Sequence, residues 1–112
     1  MSLPAFPVTD RAVVAKVYEI IDVANADRFR DDLSLMLRSC RGARAVVVDL
    51  RTRCLTTAGV EALEAGQELA HRLELRLLVA APHALTRRVL RITEADRCLE
   101  VHTDLPAALQ AA

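Results

Sequence analysis

Four consecutive residues, Thr56-Thr57-Ala58-Gly59, stand where an apolar run gives way to an amphipathic one, in VVVDLRTRCLTTAGVEAL, residues 46–63. Hydroxyls at a helix start accept hydrogen bonds from the unpaired amides of the first turn, so Thr56 and Thr57 suit a capping position. Ala58 and Gly59 add little bulk, which leaves room for another surface to approach the backbone closely. A phosphate on either hydroxyl would add a charge of about −1.5 to −2, at a helix end that tolerates anions. Three readings meet here: a plain cap, an anion cradle, and a site that is modified and read by a partner.

Other chemistry-bearing residues are more scattered. Asp22 and Asp49 each close a predicted strand, and in a parallel sheet both ends lie on one rim. Two carboxylates there could form an acid/base pair or a magnesium site, or simply turn and cap the chain. Arg87, Arg88 and Arg91 could bind phosphate or form an ordinary exposed helix face. His71, His83 and His102 follow no metal-ligand spacing. No GxSxG, GxxxxGK(S/T) or GxGxxG pattern occurs among only three glycines. Cys40, Cys54 and Cys98 are odd in number and not in CxxC spacing, which points to reduced thiols packed as small hydrophobes. No catalytic residue, metal ligand or cofactor is expected.

Composition narrows the class further. Fifteen basic and fifteen acidic residues cancel, which gives no electrostatic footprint for nucleic acid or an anionic membrane. The 53% hydrophobic content supports a folded chain, and only Phe6, Tyr18 and Phe29 are aromatic, so Val, Leu, Ile and Ala must build the core. The opening MSLPAFPVTD lacks the basic and apolar regions of a secretory signal, and the apolar runs are too short to span a bilayer. A soluble, cytoplasmic protein is expected.

The elements that must position these residues alternate along the chain. Residues 1–10 form an extended lead-in or edge strand around Pro4 and Pro7. RAVVAKVYEII, 11–21, reads as a strand. A helix follows with Ala26, Phe29, Leu33, Met36 and Leu37 on one face, ended by Arg41-Gly42 with Gly42 in the left-handed cap position. Residues 43–50 form a strand covered on both faces. A second helix runs from about Thr57 to Arg72, with Glu61, Glu64, Glu68 and Arg72 exposed. Residues 73–82 form a strand. A third helix spans about 83–93, with Leu85, Val89 and Ile92 on its buried face and Arg87, Arg88 and Arg91 opposite. A short strand at 98–102 precedes a terminal helix capped by Thr103 or Asp104. This order predicts one α/β domain over 1–112: a mixed, mostly parallel sheet of four or five strands with about four helices.

Three stretches, in order and at matching spacing, resemble the STAS domain of bacterial anti-sigma factor antagonists. YEIIDVANADRFRDDL (18–33) is similar to the family's strand ending in Gly-Glu-Leu-Asp and its first helix, with Asp22 at the Asp position. AVVVDLRTRCLTTAGVEAL (45–63) is similar to the strand Val-Val-Leu-Asp-Leu, its loop, and the helix start Asp-Ser-Ser-Gly. Residues 75–109 resemble the last two strands and the Pro-x-x-x-x-Arg-x-Leu helix between them. The resemblance implies a non-enzymatic module that binds an anti-sigma factor with serine/threonine kinase activity. It further implies phosphorylation at Thr57 and partner contact through Asp22, Asn25, Thr56, Thr57, Ala58 and Gly59. Thr56 replaces the family's Asp, Ala58 replaces its second Ser, and the loop 51–55 is one residue shorter. Two other classes stay open: a constitutive scaffold or homodimerising subunit, and a nucleotide or small-ligand sensor using the arginines of the third helix.

Overall fold

Val, Ala and Leu at nearly every strand position require a sheet covered on both sides, and helices supply both covers. The computed structural model describes residues 5–7, 12–40 and 42–112. Its elements in chain order are β1 (Ala5–Pro7), β2 (Ala12–Val17), α1 (Ala26–Ser39), β3 (Ala45–Leu50), α2 (Thr57–Arg72) and β4 (Arg76–Ala80). Then come α3 (Ala84–Ile92), a 3-10 turn (Ala95–Arg97), β5 (Glu100–His102) and α4 (Leu105–Ala111). The five strands lie side by side in sequence order. β1 pairs antiparallel with β2, and every other pair is parallel. The α/β class and the mixed, mostly parallel sheet expected from the sequence are what the chain adopts. Of the expected lead-in, Ala5–Pro7 is an edge strand; the remainder of 1–10 lies outside the described residues, as does Arg41.

Alternate residues of each strand feed two separate cores. Val46, Val48 and Leu50 of β3 face α1, α2 and α3, packing with Leu33, Leu37, Leu63 and Leu90. Ala45 and Val47 face the other way, with Val14, Leu78 and Ala80, under Ala108 of α4. Gly66 allows α1 and α2 to close together: a Cβ there would stand 2.5 Å from Leu33 Cδ2. Gly42 sits at φ +95°, the left-handed conformation anticipated beyond α1, although α1 itself stops at Ser39 with Cys40 as its cap.

Two expectations are corrected. The first long strand ends at Val17, not Ile21, because residues 18–25 form a loop tied by its own side chains. α3 also turns a different face inward: Thr86 and Leu90 are buried, Val89 is half-buried, and Leu85 and Ile92 are exposed. Thr86 can be buried because its hydroxyl donates to Thr52 O at 3.1 Å.

α4 is fastened at both ends. Asp104 Oδ1 accepts from Ala107 N at 2.9 Å, and Pro106 occupies the first turn, where no amide partner is needed. At the far end Arg76 donates to Ala111 O while its guanidinium forks onto Glu100, Nε to Oε1 at 3.0 Å and Nη2 to Oε2 at 2.7 Å. His102 Nε2 also lies 2.8 Å from Glu100 Oε2. Burial pushes the Glu100 carboxyl up, but hydrogen bonds from His102 and Arg76, with their charges, outweigh it and hold Glu100 below the ordinary carboxylate value. A depressed carboxyl contributes stability that is complete above the unfolded value and disappears as pH falls through the folded one. Glu100→Gln should therefore lower the melting temperature near neutral pH. The gap from wild type should close as pH drops below about 4. Parallel thermal melts of both proteins across that range check it; a gap independent of pH would contradict the assignment.

Candidate functional site

The helix start singled out in the sequence lies at the rim formed by the C-terminal ends of β2, β3 and β4. Two loops meet there, residues 18–25 after β2 and residues 51–56 after β3. The first holds its shape without help from a partner. Asp22 Oδ1 accepts from Ala24 N at 2.9 Å and Asn25 N at 3.2 Å, while Asn25 Oδ1 accepts from Asp22 N at 2.8 Å. Asn25 Nδ2 donates to Ile20 O at 3.0 Å. These reciprocal bonds fix the turn before α1, so Asp22 acts on backbone amides rather than at a reacting centre.

The second loop is pinned from below. Thr52 is buried, its Oγ1 donating to Cys54 O at 2.9 Å, and Thr86 reaches its carbonyl from α3. Leu55 is buried beneath the coming helix. Thr56 is the N-cap of α2, in extended conformation at φ −97° and ψ 167°. Its Oγ1 accepts from Gly59 N at 3.2 Å and donates to Ile21 O across the junction. One hydroxyl thus caps the helix and joins the two loops.

Gly59 is where those loops press closest. A Cβ at this position would lie 2.7 Å from Leu55 Cδ1 and 3.2 Å from both Ile21 Cβ and Ile21 O. Real Cβ atoms essentially never come as near as 2.7 Å, so the glycine serves the chain's own packing and is buried. Thr57, next to the cap, is exposed, and its hydroxyl has no hydrogen-bond partner among the described residues. Ala58 is half-buried.

Of the readings open for Asp22 and Asp49, a carboxylate pair is not what the geometry forms. Asp22 is exposed on its loop, whereas Asp49 is completely buried within β3, one oxygen 3.3 Å from Arg51 Nη1 and Oδ1 without a partner. The three arginines of α3 do not act together either. Arg87 Nη1 donates to the Ala81 and Pro82 carbonyls at 2.8 and 3.0 Å, whereas Arg88 and Arg91 are exposed and have no ion pair or hydrogen bond among the described residues. No cluster of three or more metal-ligating side chains occurs among the described residues. All three cysteines are free thiols. Burial pushes the Cys40 thiol up, against a smaller opposing hydrogen bond with Ser39.

Pattern reading missed the apolar part of this rim. Tyr18, Ile20 and Val23 project from the 18–25 loop, Val23 with 87% of its surface exposed. The run YEII continued a strand pattern, and only Ile21, the one that is buried, belongs to the core. An exposed tyrosine, isoleucine and valine within six residues form a patch of the kind that marks contact surfaces.

No protein-family profile and no curated protein matches the chain. Solved structures do. An anti-sigma factor antagonist from Mycobacterium paratuberculosis superposes with a TM-score of 0.81 at 25% identity, over 98% of this chain and 93% of that one. The chain has the STAS fold of anti-sigma factor antagonists. The Thermotoga maritima protein TM1081 gives a TM-score of 0.83 at 15% identity, covering 97% and 92% of the two chains. The antagonist SpoIIAA in its unphosphorylated form gives 0.74 at 14% identity, covering 98% and 96%, and SpoIIAA of Bacillus is also known phosphorylated. On this STAS scaffold no helix among the described residues is long and apolar enough to cross a membrane.

The junction supplies a test of its own geometry. Thr56→Val keeps the side-chain shape and removes both hydroxyl bonds, so unfolding in urea should show a loss of about 1–2 kcal/mol. Thr56→Ser should recover most of it. Equal stability of wild type and Thr56→Val would mean that the cap and the cross-loop bond contribute nothing.

Proposed function

We propose that this chain is an anti-sigma factor antagonist that docks an anti-sigma factor on the rim built from residues 18–25 and the start of α2, and is released by phosphorylation of Thr57. The observation that carries the reading is the division of labour between adjacent threonines. Thr56 spends its hydroxyl on Gly59 and Ile21, while Thr57, at the first helical position, keeps an exposed hydroxyl with no hydrogen bond among the described residues.

The chain contributes an acceptor on a rigid backbone and no catalytic machinery, so the phosphoryl group must come from a kinase that carries ATP. Thr57 Oγ1 bonds to the γ-phosphorus as the bond to the ADP oxygen breaks, and the hydroxyl proton passes to a base on the kinase or to solvent. At a helix N-terminus the resulting dianion meets free amides and the positive end of the helix dipole. The fold then survives, while an apolar partner surface against Tyr18, Ile20 and Val23 faces a buried charge and separates.

A second reading is a constitutive STAS scaffold that is never modified. It draws support from Thr56 itself, which leaves no carboxylate beside the acceptor. Intact mass after incubation with ATP and each candidate anti-sigma kinase of the same genome separates the two. Wild type should gain one phosphate and Thr57→Ala none. Partner binding should weaken by about an order of magnitude or more in Thr57→Glu, roughly 1.4 kcal/mol, and persist in Thr57→Ala. Binding without phosphate gain, unchanged by Thr57→Glu, would favour the scaffold.

A further inference from the structure

The zero net charge hides a separation of signs between neighbouring helices. Glu61, Glu64 and Glu68 fall on one stripe of α2, at spacings of three and four residues. None of them has an ion pair or hydrogen bond among the described residues. They border an open groove of about 740 Å³ that runs along α2 to Cys98. On its wall, Gln67 donates Nε2 to Cys98 O at 3.3 Å and keeps Oε1 without a partner.

α3 presents the opposite character. Leu85 and Ile92 are 58% and 68% exposed, and Arg88 and Arg91 beside them are equally unpaired. Arg87 is held on the Ala81 and Pro82 carbonyls and Thr86 on Thr52 O, so this stripe sits on a helix rigidly fixed to the domain. Beyond the basic stripe stand Glu94, ion-paired to Arg97 at 3.5 Å, and Asp96, and beyond the acidic stripe of α2 stand His71 and Arg72.

Both helices connect parallel strands of one sheet and pack on the same core, so they run in the same direction. A two-fold axis parallel to them would lay α3 of one copy along α2 of the other, in the same direction, with the basic stripe facing the acidic one. We infer that a second copy of this chain occupies the α2 groove in this way. Arg88 and Arg91 pair with Glu61, Glu64 and Glu68 across the axis, reciprocally, and Leu85 and Ile92 leave water in the contact. Such an interface is isologous, so each contact occurs twice. It engages the middle of α2 and the outer face of α3, and owes nothing to the identity of any other partner.

Charge reversal with mixing tests it on the full chain by sedimentation velocity. Wild type at high concentration in low salt should sediment as a species of twice the chain mass and dissociate as salt screens the pairs. Arg88→Glu with Arg91→Glu makes both stripes acidic, and Glu64→Arg with Glu68→Arg makes both basic. Each double variant alone should self-associate at least about tenfold more weakly than wild type. Mixed in equal amounts they should restore the dimer, because each then offers the sign the other lacks. Glu68, Arg88 and Arg91 are exposed and Glu64 half-buried, and circular dichroism checks that the variants fold. A wild type that stays monomeric, reversals that leave the dimer intact, or a mixture that fails to restore it would each overturn the inference.

Discussion

The approach of Ile21 to the first turn of α2 is the constraint on which the rim depends. With Ile21 Cβ and O both 3.2 Å from where a Cβ at position 59 would be, any side chain there would have to push the 18–25 loop back by a few tenths of an ångström. That proximity brings the Ile21 carbonyl within reach of Thr56, whose hydroxyl then satisfies a backbone acceptor and a helix amide together. A buried carbonyl without a donor is costly, so the close packing and the hydroxyl stand or fall as a pair. The loop that carries Tyr18, Ile20 and Val23 is fixed relative to α2 by the same contact. Two segments distant in sequence are thereby held as one rim.

This geometry explains why two like residues in succession have unlike roles. The N-cap residue has extended backbone and turns its side chain back over the helix end, whereas the next residue is already helical and points outward. A phosphate on Thr56 would break the bond to Ile21 and force charge against Leu55 and Ile21. On Thr57 it would break no hydrogen bond among the described residues. Modification at Thr57 would therefore change the surface and leave the bonds of the junction in place.

The sequence was most legible where periodicity and caps agree. α2 occupies Thr57–Arg72 as expected, with Thr56 rather than Thr57 capping it, and Asp104 starts α4. Legibility failed where a polar residue is buried or an apolar one is not. Thr86 reads as surface and is core, because Thr52 O, a carbonyl 34 positions away, accepts its hydroxyl. That moves Leu85 and Ile92 outward. Asp49 reads as a rim carboxylate, yet the two-residue alternation of β3 sends it into the sheet's second face near Arg51. Arg87 reads as one of three like charges and is the one bonded to the end of β4. In each case the deciding partner belongs to another element, which single-sequence pattern cannot supply.

Small cores leave little apolar area to spare, so exposed Leu, Ile, Val and Tyr side chains need a reason when they cluster. Here they form two clusters, not one. Tyr18, Ile20 and Val23 sit on a loop beside the Thr57 hydroxyl, with Glu19, paired to Arg28 at 3.2 Å, and exposed Asp22 as the charges of that loop. Leu85 and Ile92 sit among unpaired arginines. An apolar patch beside a hydroxyl is turned off by adding charge, because desolvating that charge outweighs the contact. An apolar pair among fixed charges is instead selective for the opposite sign and weakened by salt. The two surfaces differ in chemistry, and that difference follows from which side chains the fold has already used.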